Sequence, residues 1–242
     1  MADSVSIAIE TSCGTGGVAL GRGDALLRAV PFDASARHAT HLLNELDALL
    51  DDENLAPDAL DAVYVSVGPG SFTGLRVGVT VARTLAQAVP NLRCVAVPTA
   101  AAVAENVRDL PWNHLTVVFD AKGDRVYVQR FGRNGETITA DGKATTCTEA
   151  DFLAAAPRPI LLTGEGLDYH DLTGEGVTIA PRERWLPTAE GAWRAGRRLA
   201  EAERFTPYLR LLPTYARRPE AVRLWERSGR PDRPAPGAPR DA

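Results

Sequence analysis

Cysteine is scarce in this chain. The three thiols, Cys13, Cys94 and Cys147, stand alone without a CxxC pair, which argues against a disulfide framework or a zinc ribbon. Long apolar runs are missing as well: no stretch of about 18 apolar residues occurs, so no membrane span is expected. The Met1-Ala-Asp-Ser start lacks the basic, then long apolar, pattern of a signal peptide. A cytosolic setting is expected. Lysine is almost absent, with two residues only. From Arg182 to Arg240 there are 14 basic residues, all Arg, against 7 acidic ones, within a chain of net charge −4. A general preference for Arg accounts for much of this, and the alternative is a face toward RNA or an acidic partner.

What is present is an ordinary globular composition. With 242 residues, 45% hydrophobic and 24% charged, the chain can bury one large core or two modest ones. Ser6–Ile9, Val18–Leu20 and Ala25–Val30 read as three strands joined by glycine-marked turns. A helix is expected over 38–50, with Leu42, Leu43, Leu46, Leu49 and Leu50 on one face. A strand at 63–67, a helix to about 89, a strand at 94–97 and an Ala-rich helix to 107 follow. The second half partly repeats this order: strands at 115–119 and 125–131, a short strand near 136–139, a helix near 149–156, a strand at 160–163 and a helix over 188–203. A duplicated mixed α/β unit implies two domains beside a cleft. The expected division is 1–110 and 111–227, followed by a Pro/Gly/Arg-rich tail at 228–242 that is expected to be disordered.

The most specific stretch is Gly68-Pro-Gly-Ser-Phe-Thr-Gly-Leu-Arg-Val-Gly78, which joins a strand to an apolar helix. Gly68 and Gly70 allow close backbone approach, and Ser71 or Thr73 can cap the first helical turn, so these four form a candidate anion site. The helix behind them carries two apolar stripes, Leu75/Val79/Ala82/Leu85/Ala86 and Val77/Val81/Ala88. One can pack on the sheet, and the other then faces a second helix or a partner. Gly74 and Gly78 are spaced for close helix approach. Arg76 sits in the first helical turn, where a cation needs an anionic or polar answer.

This segment closely resembles that of the TsaB (YeaZ) family, the dimerization subunits of the bacterial tRNA threonylcarbamoyladenosine machinery. Further landmarks agree in order: Ile7-Ala-Ile-Glu-Thr-Ser-Cys13, Arg37-His38 with Thr40 and Leu42-Leu43, Asp120-Ala121 with Val126-Tyr127, Gly164-Glu-Gly166 with Tyr169, and Pro213 to Glu220. The resemblance implies a duplicated actin-like fold of the sugar-kinase and Hsp70-ATPase class. It also implies a non-catalytic subunit paired with the catalytic paralogue, which transfers a threonylcarbamoyl group to N6 of adenosine 37 in tRNA, with a small ATPase subunit completing the complex. On this reading tRNA is met only through the complex, and a homodimer of the isolated chain stays open. The expected interface comprises His38, Leu42, Leu46, Gly74, Leu75, Arg76, Gly78, Val79 and Ala82.

Catalytic chemistry in the chain itself finds little support. The paralogue's metal-binding His-x-x-x-His pair corresponds to Pro98-Thr-Ala-Ala-Ala-Val-Ala-Glu105, which offers no imidazole. His38 and His41 lack accompanying ligands, so no metal is expected. Cys13 has no His or Asp pattern beside it and reads as an inert thiol in a turn. Glu10 and Asp120, one at the start of each half, are the candidate cleft carboxylates for an alternative function, a nucleotide-dependent transferase or small kinase. As strand-end residues they read more simply as turn caps. No intrinsic cofactor is expected, and a nucleotide at the partner interface is left open.

Overall fold

A computed structural model describes residues 3–33 and 38–216, and for residues 38–40 the backbone only. The tail expected at 228–242 and the family-like residues 217–220 lie outside the described residues. The first sheet contains β1 (Val5–Glu10), β2 (Thr15–Arg22), β3 (Ala25–Asp33), β4 (Ala62–Gly68) and β5 (Arg93–Pro98), in the order β3-β2-β1-β4-β5. The second contains β6 (Leu115–Asp120), β7 (Arg125–Asn134), β8 (Thr137–Thr148), β9 (Ile160–Thr163) and β10 (Val177–Ile179), in the order β10-β9-β6-β7-β8. Each is an antiparallel three-strand meander extended by two parallel strands. The fold is therefore the duplicated mixed α/β, actin-like arrangement.

The central strands are buried along their whole length because helices cover both faces. β1 (VSIAIE) and β4 (AVYVSVG) are accordingly near-continuous apolar runs rather than alternating ones. On one face lie α1 (His38–Asp52) and α2 (Phe72–Ala88), whose Leu42, Leu46, Leu49, Val79 and Ala82 pack with Ile7, Ile9, Val63 and Val65. On the other lie α3 (Thr99–Glu105) and α5 (Ala189–Glu201). α4 (Glu149–Ala155) covers the outer face of the second sheet through Phe152.

Three elements differ from the sequence reading. β8 runs for twelve residues, because its pairing with β7 continues past a register shift at Val128/Arg130; its polar, exposed side chains give no alternating signal. β10 has three residues and depends on pairing with β9. Helix α5 follows the second sheet in sequence yet packs on the first. Trp193, fully buried, fits against Gly21, where a Cβ would stand 2.2 Å from the indole, and its Nε1 donates to Ser6 Oγ at 3.0 Å. A cut at residue 110 thus separates the two sheets and leaves α5 with the wrong one. Among the described residues no helix is long and apolar enough to cross a membrane.

Both crossings between the sheets are tied together at Asn106. Its Nδ2 donates to Leu186 O at 2.6 Å, its Oδ1 accepts from Thr188 Oγ1 at 2.9 Å, and its carbonyl accepts from Arg184 Nη1 at 2.6 Å. Arg184 also pairs with Asp109 at 3.0 Å. Replacing Asn106 by Ala removes three side-chain bonds, those to the carbonyls of Arg184 and Leu186 and the one from Thr188 Oγ1. The expected cost is about 2 kcal/mol, read as a shift of the urea midpoint.

Candidate cleft and helix surface

A cleft of about 730 Å³ opens where the parallel strands of both sheets end, the place where α/β sheets commonly receive ligands. Ser12, Cys13 and Gly14 follow β1; Pro69, Gly70, Ser71 and Phe72 follow β4; Thr99 begins α3. The second sheet adds Phe119 and Asp120 from β6 and Glu165, Asp168 and Tyr169 beyond β9. Tyr215 and Ala216 come from the C-terminal strap that runs back along the first sheet.

The glycine segment is committed to packing. A Cβ on Gly74 would lie 1.9 Å from Thr11 O, one on Gly78 2.4 Å from Thr11 Oγ1, and one on Gly70 2.3 Å from Ser12 O. Thr11 Oγ1 donates to Gly74 O at 2.8 Å. Gly68, at φ +116°, leaves room for the strap, whose Thr214 N donates to Val67 O at 2.5 Å. The groups of the candidate anion site are also engaged: Ser71 N donates to Ser12 O at 2.7 Å and Ser71 Oγ caps the helix by accepting from Gly74 N. Thr73 is exposed.

Helix α2 turns its apolar stripes inward. Leu75, Val79 and Ala82, with Leu42 and Leu46 of α1, lie in the chain's own core, and Gly74 and Gly78 face the β1–β2 turn. Their expected role as interface side chains is corrected by that burial: the sheet claims the face with the largest apolar residues. The side chain of His38 lies outside the described residues. The outward face of α2 shows Phe72, Thr73, Arg76 and Thr80, and α1 shows Leu43. Arg76 finds its answer inside the chain. Its guanidinium carbon lies 3.8 Å from the Phe72 ring centroid, and its Nε donates to Tyr215 Oη at 3.3 Å. Phe72 and Tyr215 stack at 5.1 Å.

The two candidate carboxylates part company. Glu10 is fully buried; Ser12 N and Oγ donate to its Oε1, both at 2.5 Å, and Ser66 Oγ donates to Oε2. Burial pushes its pKa up, against the pull of those hydrogen bonds. It holds the β1 turn and does not face the cleft. Asp120 lies at the cleft wall. Burial opposes its ionisation, yet hydrogen bonds from the Lys122 side chain and backbone and from His170 hold its carboxyl below the ordinary range. Lys122 Nζ is 2.9 Å away, and His170 Nε2 is 3.2 Å away with its Nδ1 2.5 Å from Glu149 Oε1. This Glu149–His170–Asp120 chain joins β6, α4 and the loop after β9, and its members are too far apart in sequence to announce themselves. Cys13 is pushed up to about 12, by burial first and then by the charges of Glu10 and Glu165, so it is a poor nucleophile near neutral pH. Among the described residues no group of three His, Cys, Asp or Glu side chains is arranged to hold a metal.

Comparisons place this geometry in a known setting. A family model described as TsaD, tRNA N6-adenosine threonylcarbamoyltransferase, matches residues 29–162, more than half of the chain. The tRNA threonylcarbamoyladenosine biosynthesis protein TsaB of Bacillus subtilis is 31% identical over 174 residues, 71% of this chain and 75% of that protein. A tRNA N6-adenosine threonylcarbamoyltransferase of Thermomicrobium roseum is 46% identical over 57 residues, 24% of this chain and 16% of that protein. YeaZ from Pseudomonas aeruginosa shares the fold, with a TM-score of 0.76 at 24% identity over 88% of this chain and 99% of that one.

Two measurements test the packing and the buried acid. Gly74→Ala forces a methyl group into the Thr11 carbonyl and should cost about 3 kcal/mol, seen in chemical denaturation. For Glu10, whose folded pKa is raised, the stabilising contribution is present below the ordinary value near 4.5 and is lost as pH rises through the raised value. Glu10→Gln, which mimics the neutral acid, should therefore gain stability over the parent at pH 8 and lose that advantage near pH 4.

Proposed function

Because the chain belongs to the TsaB (YeaZ) family of tRNA threonylcarbamoyladenosine biosynthesis proteins, we propose that it is a non-catalytic subunit. In this reading it pairs in the cytoplasm with a TsaD-type transferase and activates it for threonylcarbamoylation of adenosine 37 in tRNA. The observation that carries the reading is the outward face of α2. There the exposed Phe72 is held between Arg76 and Tyr215, giving a rigid aromatic and cationic patch of the kind that anchors protein interfaces. Leu43 of α1, 51% exposed, adds a second apolar contact. A small ATPase subunit of the family complex and a homodimer of the free chain belong to the same proposal.

The cleft supports a non-catalytic role. Among the described residues its charged lining side chains, Asp120, Glu165 and Asp168, include no Lys or Arg, so the lining itself offers a nucleotide's phosphates no counter-charge. Glu10, the other carboxylate that ATP chemistry would call upon, is occupied inside the fold.

Phe72→Glu and Leu43→Glu should each lower co-purification with a TsaD-type transferase at least tenfold while the melting temperature stays near that of the parent. Leu75→Glu should instead unfold the chain, because its side chain is 0% exposed. Depletion of the chain should remove threonylcarbamoyladenosine from bulk tRNA, measured by mass spectrometry of nucleosides; normal levels would overturn the assignment. Saturable ATP turnover by the isolated chain would favour a nucleotide-dependent enzyme instead.

A further inference from the structure

We propose that the C-terminal strap over 206–216 forms a second half of the partner surface, and that it receives an acidic segment of the TsaD-type transferase with apolar side chains on its docking face. The inference rests on the pairing proposed above and names what the partner must present. Two anchors hold the strap: Thr206 N donates to Cys94 O at 2.8 Å, and Thr214 N donates to Val67 O at 2.5 Å. Between them Pro207 and Pro213 restrict the backbone. Tyr208 and Leu211 pack with the core cluster that holds Val79, Val81 and Leu85. Leu209 and Leu212 are left outside, 68% and 60% exposed. A single surface leucine needs no explanation, but two on one short anchored segment mark an interaction surface.

Charge is the second, independent observation. Neither α2 nor the strap contains an Asp or Glu. Their cations are Arg76, Arg83 and Arg210, and among the described residues none of the three is in an ion pair. The arginines of α5 behave otherwise, since Arg194, Arg197 and Arg198 are paired with Glu190, Glu201 and Glu105. Unpaired cations beside exposed apolar side chains favour an acidic partner. On α1, which covers the same face of the sheet, the sign reverses: Glu45, Asp47 and Asp51 stand in a helix without Lys or Arg. An acidic segment is thus drawn to the side of α2 and the strap and repelled from α1, which fixes its orientation.

Tyr215 makes the strap continuous with the outward face of α2. It stacks on Phe72 at 5.1 Å, and its Oη accepts from Arg76 Nε at 3.3 Å. Because the strap is tied at both ends, its apolar side chains are displayed without a further ordering cost on binding. A second copy of this chain would also bring an acidic helix, its own α1. The strap, however, extends the Phe72 patch already given to the transferase, so one partner covers both.

Biolayer interferometry of the full chain against a TsaD-type transferase, at low and at high salt, tests the proposal. Arg210→Glu should slow association at least tenfold at low salt and approach the parent's rate at high salt. The double variant Leu209→Ser, Leu212→Ser should speed dissociation at least tenfold in both. All three side chains are exposed, so the variants should melt with the parent and a loss of binding cannot come from unfolding. The proposal is overturned if these variants bind as the parent does while Phe72→Glu does not, or if Arg210→Glu associates faster than the parent, the mark of a basic partner segment. It is also overturned if light scattering shows the variants losing self-association while they keep the transferase, which would assign the strap to a second copy. A parent chain that fails to bind the transferase at all sinks the pairing itself, and the strap's assignment with it.

Discussion

Helix α2 lies where it does because three of its approach positions carry no side chain. At Gly70, Gly74 and Gly78 a single methyl group would meet the backbone or hydroxyl of Thr11 and Ser12 at 1.9 to 2.4 Å. The contact locks the first turn of the helix onto the turn that follows β1, and Thr11 Oγ1 seals it by donating to Gly74 O. Depth and orientation of α2 follow from this. Leu75, Val79 and Ala82 are then driven into the sheet, and Phe72 and Arg76 are left pointing outward. The C-terminal strap fits beside the same segment, since Thr214 occupies the space over Gly68 and brings Tyr215 onto Phe72. One close approach therefore shapes the first core, the cleft wall and the helix surface.

The chain's ionised groups follow a second constraint, that a charge withdrawn from water needs an answer. Glu10 meets three hydroxyl and amide donors and is shifted toward its neutral form. Glu105, 4% exposed, pairs with Arg198 of α5, so the helix that returns from the second half also neutralises an acid of the first. Asp120 gathers Lys122 and His170, with Glu149 behind the imidazole. Among the described residues the cleft wall carries Asp120, Glu165 and Asp168, of which Asp120 is paired with Lys122 and Asp168 with Arg182.

Much of the fold was legible because buried parallel strands and helices leave strong apolar patterns. Val63 to Val67, the Leu-rich face of 38–50 and the repeat of the strand-turn-strand opening at 115–131 were all visible in that way. β8 and β10 were not, since polar edge strands take their structure from a neighbour rather than from their own residues. The site was read less well than the fold. Two apolar stripes on α2 imply an inside and an outside, but periodicity carries no sign, and the stripe with Leu75 and Val79 was assigned to a partner when the sheet takes it. Tyr215 lies 139 residues from Arg76, and no local pattern links them.

The sequence by itself determined the order of elements, the duplication, the absence of a His pair at Thr99 and Val103, and a glycine segment specific enough to mark a family. These are local or periodic properties, set by side-chain size, backbone freedom and hydrophobic spacing. Tertiary structure alone decided which face of α2 is outward, that α5 returns to the first sheet, that Glu10 is sealed while Asp120 faces the cleft, and that Thr99 is left unpaired. Each of those depends on which distant atoms come within bonding distance, and that is fixed only when the two sheets and the strap close around one another.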